Sequence, residues 1–193
     1  FYDKDPFSAY TGYLKCLIAV KEYDKAEKLS RKQAKKFPND YNVRTDIGVV
    51  LELKGEPDKG AKVFSELIKS MPPDVNSVNI LGNAFLQKQR YEYALQTYLQ
   101  GRKMLGSTYP FGFELAAAYE NLGKTEEMLN EYLDMINYQG GYINNVQTIL
   151  QNKLANETSG AFGEMLRTSL LRRIKNHPDE IEYSELLYWY FLQ

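Results

Sequence analysis

The sequence predicts an all-α fold, an α-solenoid of about five helix-turn-helix pairs followed by half of a sixth. Three observations predict it. A stride of 34 residues brings like residues into register from Phe7 to Gly140 without an insertion. Each stride carries two apolar stripes at helical spacing, and each closes on a helix breaker. Pro38, Pro72, Gly106 and Gly140 form that closing column. Composition agrees. The 193 residues are 44% hydrophobic and 25% charged, ordinary for a folded globular chain. With 24 basic and 25 acidic residues the net charge is −1, which disfavours nucleic acid as the main partner. One cysteine and one histidine exclude a disulfide framework, a cysteine-rich metal site and most His-based catalysis.

The elements follow in order. The first unit starts near residue 7 and carries Leu14 and Leu17, then Tyr23, Ala26 and Ser30. The second starts near 41 with Ile47, Gly48 and Leu51, turns at Gly55-Glu56-Pro57, and continues through Val63, Phe64, Leu67 and Ile68. The third starts near 75 with Val78, Leu81, Gly82 and Phe85, then Tyr91, Ala94, Leu95, Tyr98 and Leu99. The fourth starts near 109 with Leu115, Ala116 and Tyr119, then Met128 and Tyr132. Glycine closes a helix by taking positive φ, and proline fits the first turn of the next. Small residues at Gly48, Gly82 and Ala116, facing Gly60 and Ala94, let two helix axes approach closely. Residues 1–140 thus read as four regular units. A divergent pair over 141–180 follows, with helices over 142–156 and 158–176. Residues 181–193 read as the first helix of an incomplete sixth unit.

These columns resemble the tetratricopeptide repeat (TPR) family. The third unit supplies Leu81-Gly82, Phe85, Tyr91, Ala94 and Tyr98. The second supplies Ile47-Gly48, Leu51, Gly55, Gly60, Phe64 and Pro72. The first unit departs at Leu14, the fourth at Met128 and the sixth at Tyr188, where small residues are usual. The resemblance implies a right-handed superhelix with first helices lining a concave face and second helices outside. It puts Ser8, Thr11, Lys15, Ile18, Asn42, Thr45, Val49, Glu52, Asn76, Asn79, Asn83, Leu86, Pro110, Phe113, Ala117 and Glu120 on that face. Asn76, Asn79 and Asn83 fall on one helical stripe. Asparagine is a poor mid-helix residue, and its carboxamide both donates and accepts. The expected binding residues are Asn42, Thr45, Asn76, Asn79, Asn83, Phe113 and Glu120, taking a peptide segment or partner subunit.

No phosphate-loop, zinc or nucleophile motif is present, so neither an enzyme nor a cofactor is expected. Paired carboxylates such as Glu126-Glu127 read as helix surface. Tyr23, Tyr91, Tyr98, Tyr119 and Tyr132 fall in packing columns. Cys16, beside Leu14 and Leu17, reads as core. His177 reads as a helix-terminus residue, and Asn156-Glu157-Thr158 matches a glycosylation sequon by pattern alone. Charge is sorted: Lys25, Lys28, Arg31, Lys32, Lys35 and Lys36 crowd the first unit's second helix, and Glu120, Glu126, Glu127, Glu131 and Asp134 crowd the fourth unit; the first reading is a solvated outer face, and the alternative is head-to-tail association. Leu186, Leu187, Trp189 and Phe191 are expected to be exposed and to pack on further chain or on a second copy. The abrupt end at Gln193 suggests a piece of a longer protein. No membrane span is legible, and the compartment stays open between cytoplasm and bacterial envelope. Two other readings stand: the helical regulatory part of a larger enzyme or signalling protein, and an RNA-binding helical repeat, which the acidic balance opposes.

Overall fold

A computed structural model describes residues 6–138 and 141–193, with side chains from Ala9 onward. Gly140 and the side chain of Ser8 lie outside the described residues. Among the described residues there are eleven α-helices, one short 3-10 turn and no strand. The chain divides into two compact units, residues 1–110 and 111–193.

Unit 1 holds three helix hairpins: α1 (Pro6–Ala19) with α2 (Tyr23–Lys36), α3 (Tyr41–Leu53) with α4 (Pro57–Lys69), and α5 (Val75–Gln87) with α6 (Tyr91–Leu105). Each helix has a local reason for its start. The Asp40 carboxylate accepts from the backbone N–H groups of Asn42 and Val43 and caps α3. Asp74 does the same for α5 through Ser77, and these hydrogen bonds hold its carboxyl below the usual range. Pro57 opens α4, where its missing N–H costs nothing. The turns are equally local: Gly55 takes φ +90°, while Lys21 and Gln89 accept the left-handed conformation in the same column.

The hairpins pack as the small-residue columns require. Gly48 sits directly under the ring of Phe64, and Gly82 under the ring of Tyr98; a Cβ at either glycine would run into that ring. The two pairs are the same pair one stride apart, since 48 to 64 and 82 to 98 are both steps of sixteen residues. Phe64 then meets the next hairpin edge-on at Phe85, with ring centroids 5.3 Å apart, and meets Tyr93 at 4.7 Å. Burying each such ring contributes about 2–3 kcal/mol. Charged side chains tie neighbouring hairpins. Lys54 reaches Asp24 at 2.8 Å and Glu27 at 3.0 Å, and Arg90 reaches Glu52 at 2.6 Å. Tyr10 donates to Asp46 at 2.8 Å, and Lys88 approaches the same carboxylate at 3.2 Å. Cys16 corrects the sequence expectation: it is exposed, because two residues' rotation turns it about 200° away from buried Leu14.

The connection between the third and fourth repeats is longer than those before it. After α6 come the 3-10 turn Gly106–Thr108, Pro110, and Phe111 in the left-handed region at φ +52°. Pro110 therefore lies in a connection, not on a helix.

Unit 2 holds α7 (Gly112–Asn121), α8 (Thr125–Asp134), α9 (Ile143–Asn156), α10 (Ala161–Asn176) and α11 (Ile181–Phe191). Its core gathers Ala116, Met128, Leu129, Tyr132, Leu133, Val146, Leu150, Leu166, Leu170 and Leu186. The last residue is a second correction. Leu186 and Tyr183, one helical turn apart, face that core, and Leu187 and Trp189 are half-buried against it. Of the four residues expected to be exposed only Phe191 is, joined by Ile181, Tyr188 and Leu192. His177 closes α10 through its backbone N–H to Arg173 at 2.7 Å, with its ring 3.5 Å from Glu180.

Candidate peptide-binding faces

In unit 1 the predicted stripe lies on α3 and α5. Asn76 and Asn83 are exposed, and Asn42 and Asn79 are half-exposed. The Asn83 Oδ1 accepts from the Tyr98 hydroxyl at 3.1 Å, so the ring that fills the space over Gly82 also orients the neighbouring carboxamide. Asn79 is different. Its Oδ1 is shut off from solvent and has no hydrogen-bond partner, a state that costs about 1–3 kcal/mol until a donor is found. Asn42 lines a surface groove of about 540 Å³ with Phe37, Tyr41 and Ile80. Thr45 departs from the expectation. It is fully buried, and its hydroxyl donates to the carbonyls of Tyr41 at 2.8 Å and Asn42 at 2.9 Å, leaving nothing for a ligand.

In unit 2 the predicted residues Phe113 and Glu120 each line a groove. Phe113 forms one of about 480 Å³ with Asn144, Asn145, Thr148 and Ile149, and its ring meets Tyr142 edge-on at 5.3 Å. Glu120 forms another of about 540 Å³, where Met128, Tyr132, Ile149 and Phe162 supply apolar wall and Asn152 and Asn156 a polar one. Lys153 crosses this groove, pairing with Glu120 at 2.5 Å and lying 5.9 Å from the Tyr132 ring centre. Burial pushes the Tyr132 hydroxyl up to about 12, aided by the Glu120 charge, so it stays a neutral donor.

Both grooves share α9, and α9 carries a stripe that sequence reading missed. Asn145, Thr148 and Asn152 stand 69 residues beyond Asn76, Asn79 and Asn83, two strides of 34 plus one. All three are exposed. Thr148 spends its hydroxyl on the Asn144 carbonyl at 2.9 Å, while Asn156 donates to Asn152 O at 2.8 Å. The single extra residue near Gly140 hid the match, because a comparison held to steps of 34 reads one place away. Among the described residues no cluster of His, Cys, Asp and Glu is arranged to hold a metal ion, and no helix is long and apolar enough to cross a membrane.

No protein-family model and no curated protein matches the chain. Solved structures do. A MamA protein is 16% identical over 90% of this chain and 94% of its own, with a TM-score of 0.41. PilF of Pseudomonas aeruginosa is 13% identical over 92% and 94%, at 0.38. A Podospora anserina kinesin light chain protein with nearly identical TPR-like repeats is 15% identical over 95% and 92%, at 0.39. Similarity this distant carries no argument about function. The packing columns speak for themselves. The fold is an all-α hairpin repeat. Glycine under ring recurs in the second and third hairpins, one 34-residue stride apart, and hairpin packs on hairpin in unit 1.

Proposed function

We propose that this TPR-like chain is a non-catalytic interaction scaffold whose first-helix faces take an extended peptide segment of a protein partner. The observation that carries the reading is the recurrence of a carboxamide stripe, Asn76, Asn79 and Asn83 on α5 and Asn145 and Asn152, with Thr148 between them, on α9. Carboxamides pair with backbone N–H and C=O groups of any extended segment without reading its side chains. Each such bond is worth about 0.5–1.5 kcal/mol net, so apolar contacts must add to them. Phe113 and Ile149 stand beside Asn145 for that purpose. The unpaired Asn79 Oδ1 supplies a further drive, since a peptide N–H would relieve it once the side chain turns outward.

The test is a random-peptide library selected on the chain, followed by titration of the selected peptides. Asn79→Ala/Asn83→Ala and Asn145→Ala/Asn152→Ala are each expected to weaken binding about tenfold, as two lost hydrogen bonds would. Affinity unchanged in both variants removes the stripes from the mechanism.

A further inference from the structure

The near-neutral whole conceals two oppositely charged parts. Unit 1 has 18 basic and 13 acidic side chains, a net of +5; unit 2 has 6 and 12, a net of −6. Within unit 1 the excess is concentrated on the outer face of α2. Lys25 pairs with Glu22 at 3.1 Å and Arg31 with Glu27 at 2.8 Å. Lys32, Lys35 and Lys36 are exposed and, among the described residues, have no acidic partner. They sit at i, i+3 and i+4, one helical face. Phe37 follows them, 44% exposed.

Unit 2 presents the complement. Glu126 and Glu127 open α8, both exposed and unpaired among the described residues. Their sequence neighbours Thr125 and Met128 line the larger groove, whose lining also holds Glu120, already paired with Lys153, Glu157, which accepts from Ser159, and the apolar Tyr132 and Phe162. Acidic residues at a helix start and basic ones at a helix end also favour their own helices. That local effect accounts for their signs. It does not account for a row of three unpaired lysines ending in a half-exposed ring, nor for acids flanking an apolar groove.

We propose that the chain associates head to tail with a second copy of itself: the Lys32, Lys35, Lys36 row of one molecule lies on Glu126 and Glu127 of the next, and Phe37 enters the groove beside them. The contact is heterologous, so each molecule that uses one patch keeps the other free, and further copies add until a ring closes or as an open chain. The groove that takes Phe37 is lined by Asn152 of the α9 stripe, so the two readings are separated by the charge reversals below, which leave both asparagine stripes intact.

The test uses five forms of the 193-residue chain, each checked for helicity by circular dichroism. Sedimentation velocity is run in about 0.05 M and about 0.5 M salt, since screening weakens exposed charge pairs. The wild type is expected to form species beyond the monomer at low salt and to lose them at high salt. Lys32→Glu/Lys35→Glu/Lys36→Glu alone, and Glu126→Lys/Glu127→Lys alone, are each expected to be monomeric. Mixed, they are expected to form a 1:1 complex and nothing larger, because the first keeps only its acidic end and the second only its basic end. Phe37→Ser in the wild-type background is expected to weaken association about tenfold. A wild type that stays monomeric at low salt overturns the proposal. So does association that survives both charge reversals, or that is lost only on Tyr188→Ser/Phe191→Ser in α11. Binding of an RNA oligomer by the same lysines in a chain that does not self-associate overturns it as well.

Discussion

In unit 1 a glycine of the first helix lies under an aromatic ring of the second, twice, one stride apart: Gly48 under Phe64 and Gly82 under Tyr98. In unit 2 the same two places hold Ala116 and Tyr132, both buried, and Met128 stands where the second helix usually has a small residue. In that hairpin Gly112, one turn before Ala116, makes a close approach instead, beside the flexible Met135 side chain. The difference teaches how strictly each region holds its register. A ring seated on a bare Cα ties two positions together, so neither can change alone. A methionine adapts to its neighbours; α7 and α8 are also short, at 10 residues each against 13 to 15 in unit 1.

The comparison is sharpest at the rings. Phe64→Ala empties the space above Gly48 and removes contacts to Phe85 and Tyr93; a loss of about 4 kcal/mol is expected in chemical denaturation. A loss under 1 kcal/mol would mean that the hairpins stack without the ring. Gly82→Ala overfills the other pair and is expected to cost about 2–3 kcal/mol. Gly12→Ala in α1 is the contrast, because nothing among the described residues outside its own helix backbone comes within 4 Å of its Cβ position; it is expected to stabilise by about 0.5–1 kcal/mol. Equal effects at both glycines would break the distinction. Asp40→Ala, which uncaps α3, is expected to cost about 1 kcal/mol by the same measurement.

The smallest effect is one of pH. Burial holds the Asp46 carboxyl above its ordinary 3.8, outweighing the Lys88 ammonium beside it. The folded chain therefore binds that proton more tightly than the unfolded one. This contribution is full below pH 3.8 and is lost as pH rises through the raised value. Asp24, bonded to Lys54, and Glu27, bonded to Arg31 and Lys54, are shifted down; their contribution is present above the ordinary carboxylate range and is lost as pH falls. Asp46→Asn is expected to flatten the decline in stability with rising pH and to leave the acid limb intact. A decline unchanged in that variant removes Asp46 as its cause.

Much of the fold was legible because it is periodic. The 34-residue stride carried unit 1 helix by helix, and the expected helix over 142–156 stands as Ile143–Asn156. The misses share one physical cause, which is that a helix face is set by about 100° per residue. Cys16 lies among apolar neighbours in sequence yet on the opposite face from Leu14. Thr45 falls at a ligand-facing place by family spacing, but its hydroxyl is turned back onto the α3 backbone. One inserted residue near Gly140 moved Asn145, Thr148 and Asn152 out of phase with their counterparts in α5. The junction at Gly106 to Phe111 was illegible for another reason: left-handed φ at Phe111 is a tertiary outcome, and nothing in that residue announces it.

The two carboxamide stripes can be read atom by atom. With ¹⁵N-labelled protein and a library-selected peptide, the side-chain amide signals of Asn76, Asn79 and Asn83, or those of Asn145 and Asn152, are expected to shift on titration, while the Asn121 amide, already bonded to Ala117 O at 2.8 Å, stays still. A peptide that binds tightly and moves none of the five would contradict the account.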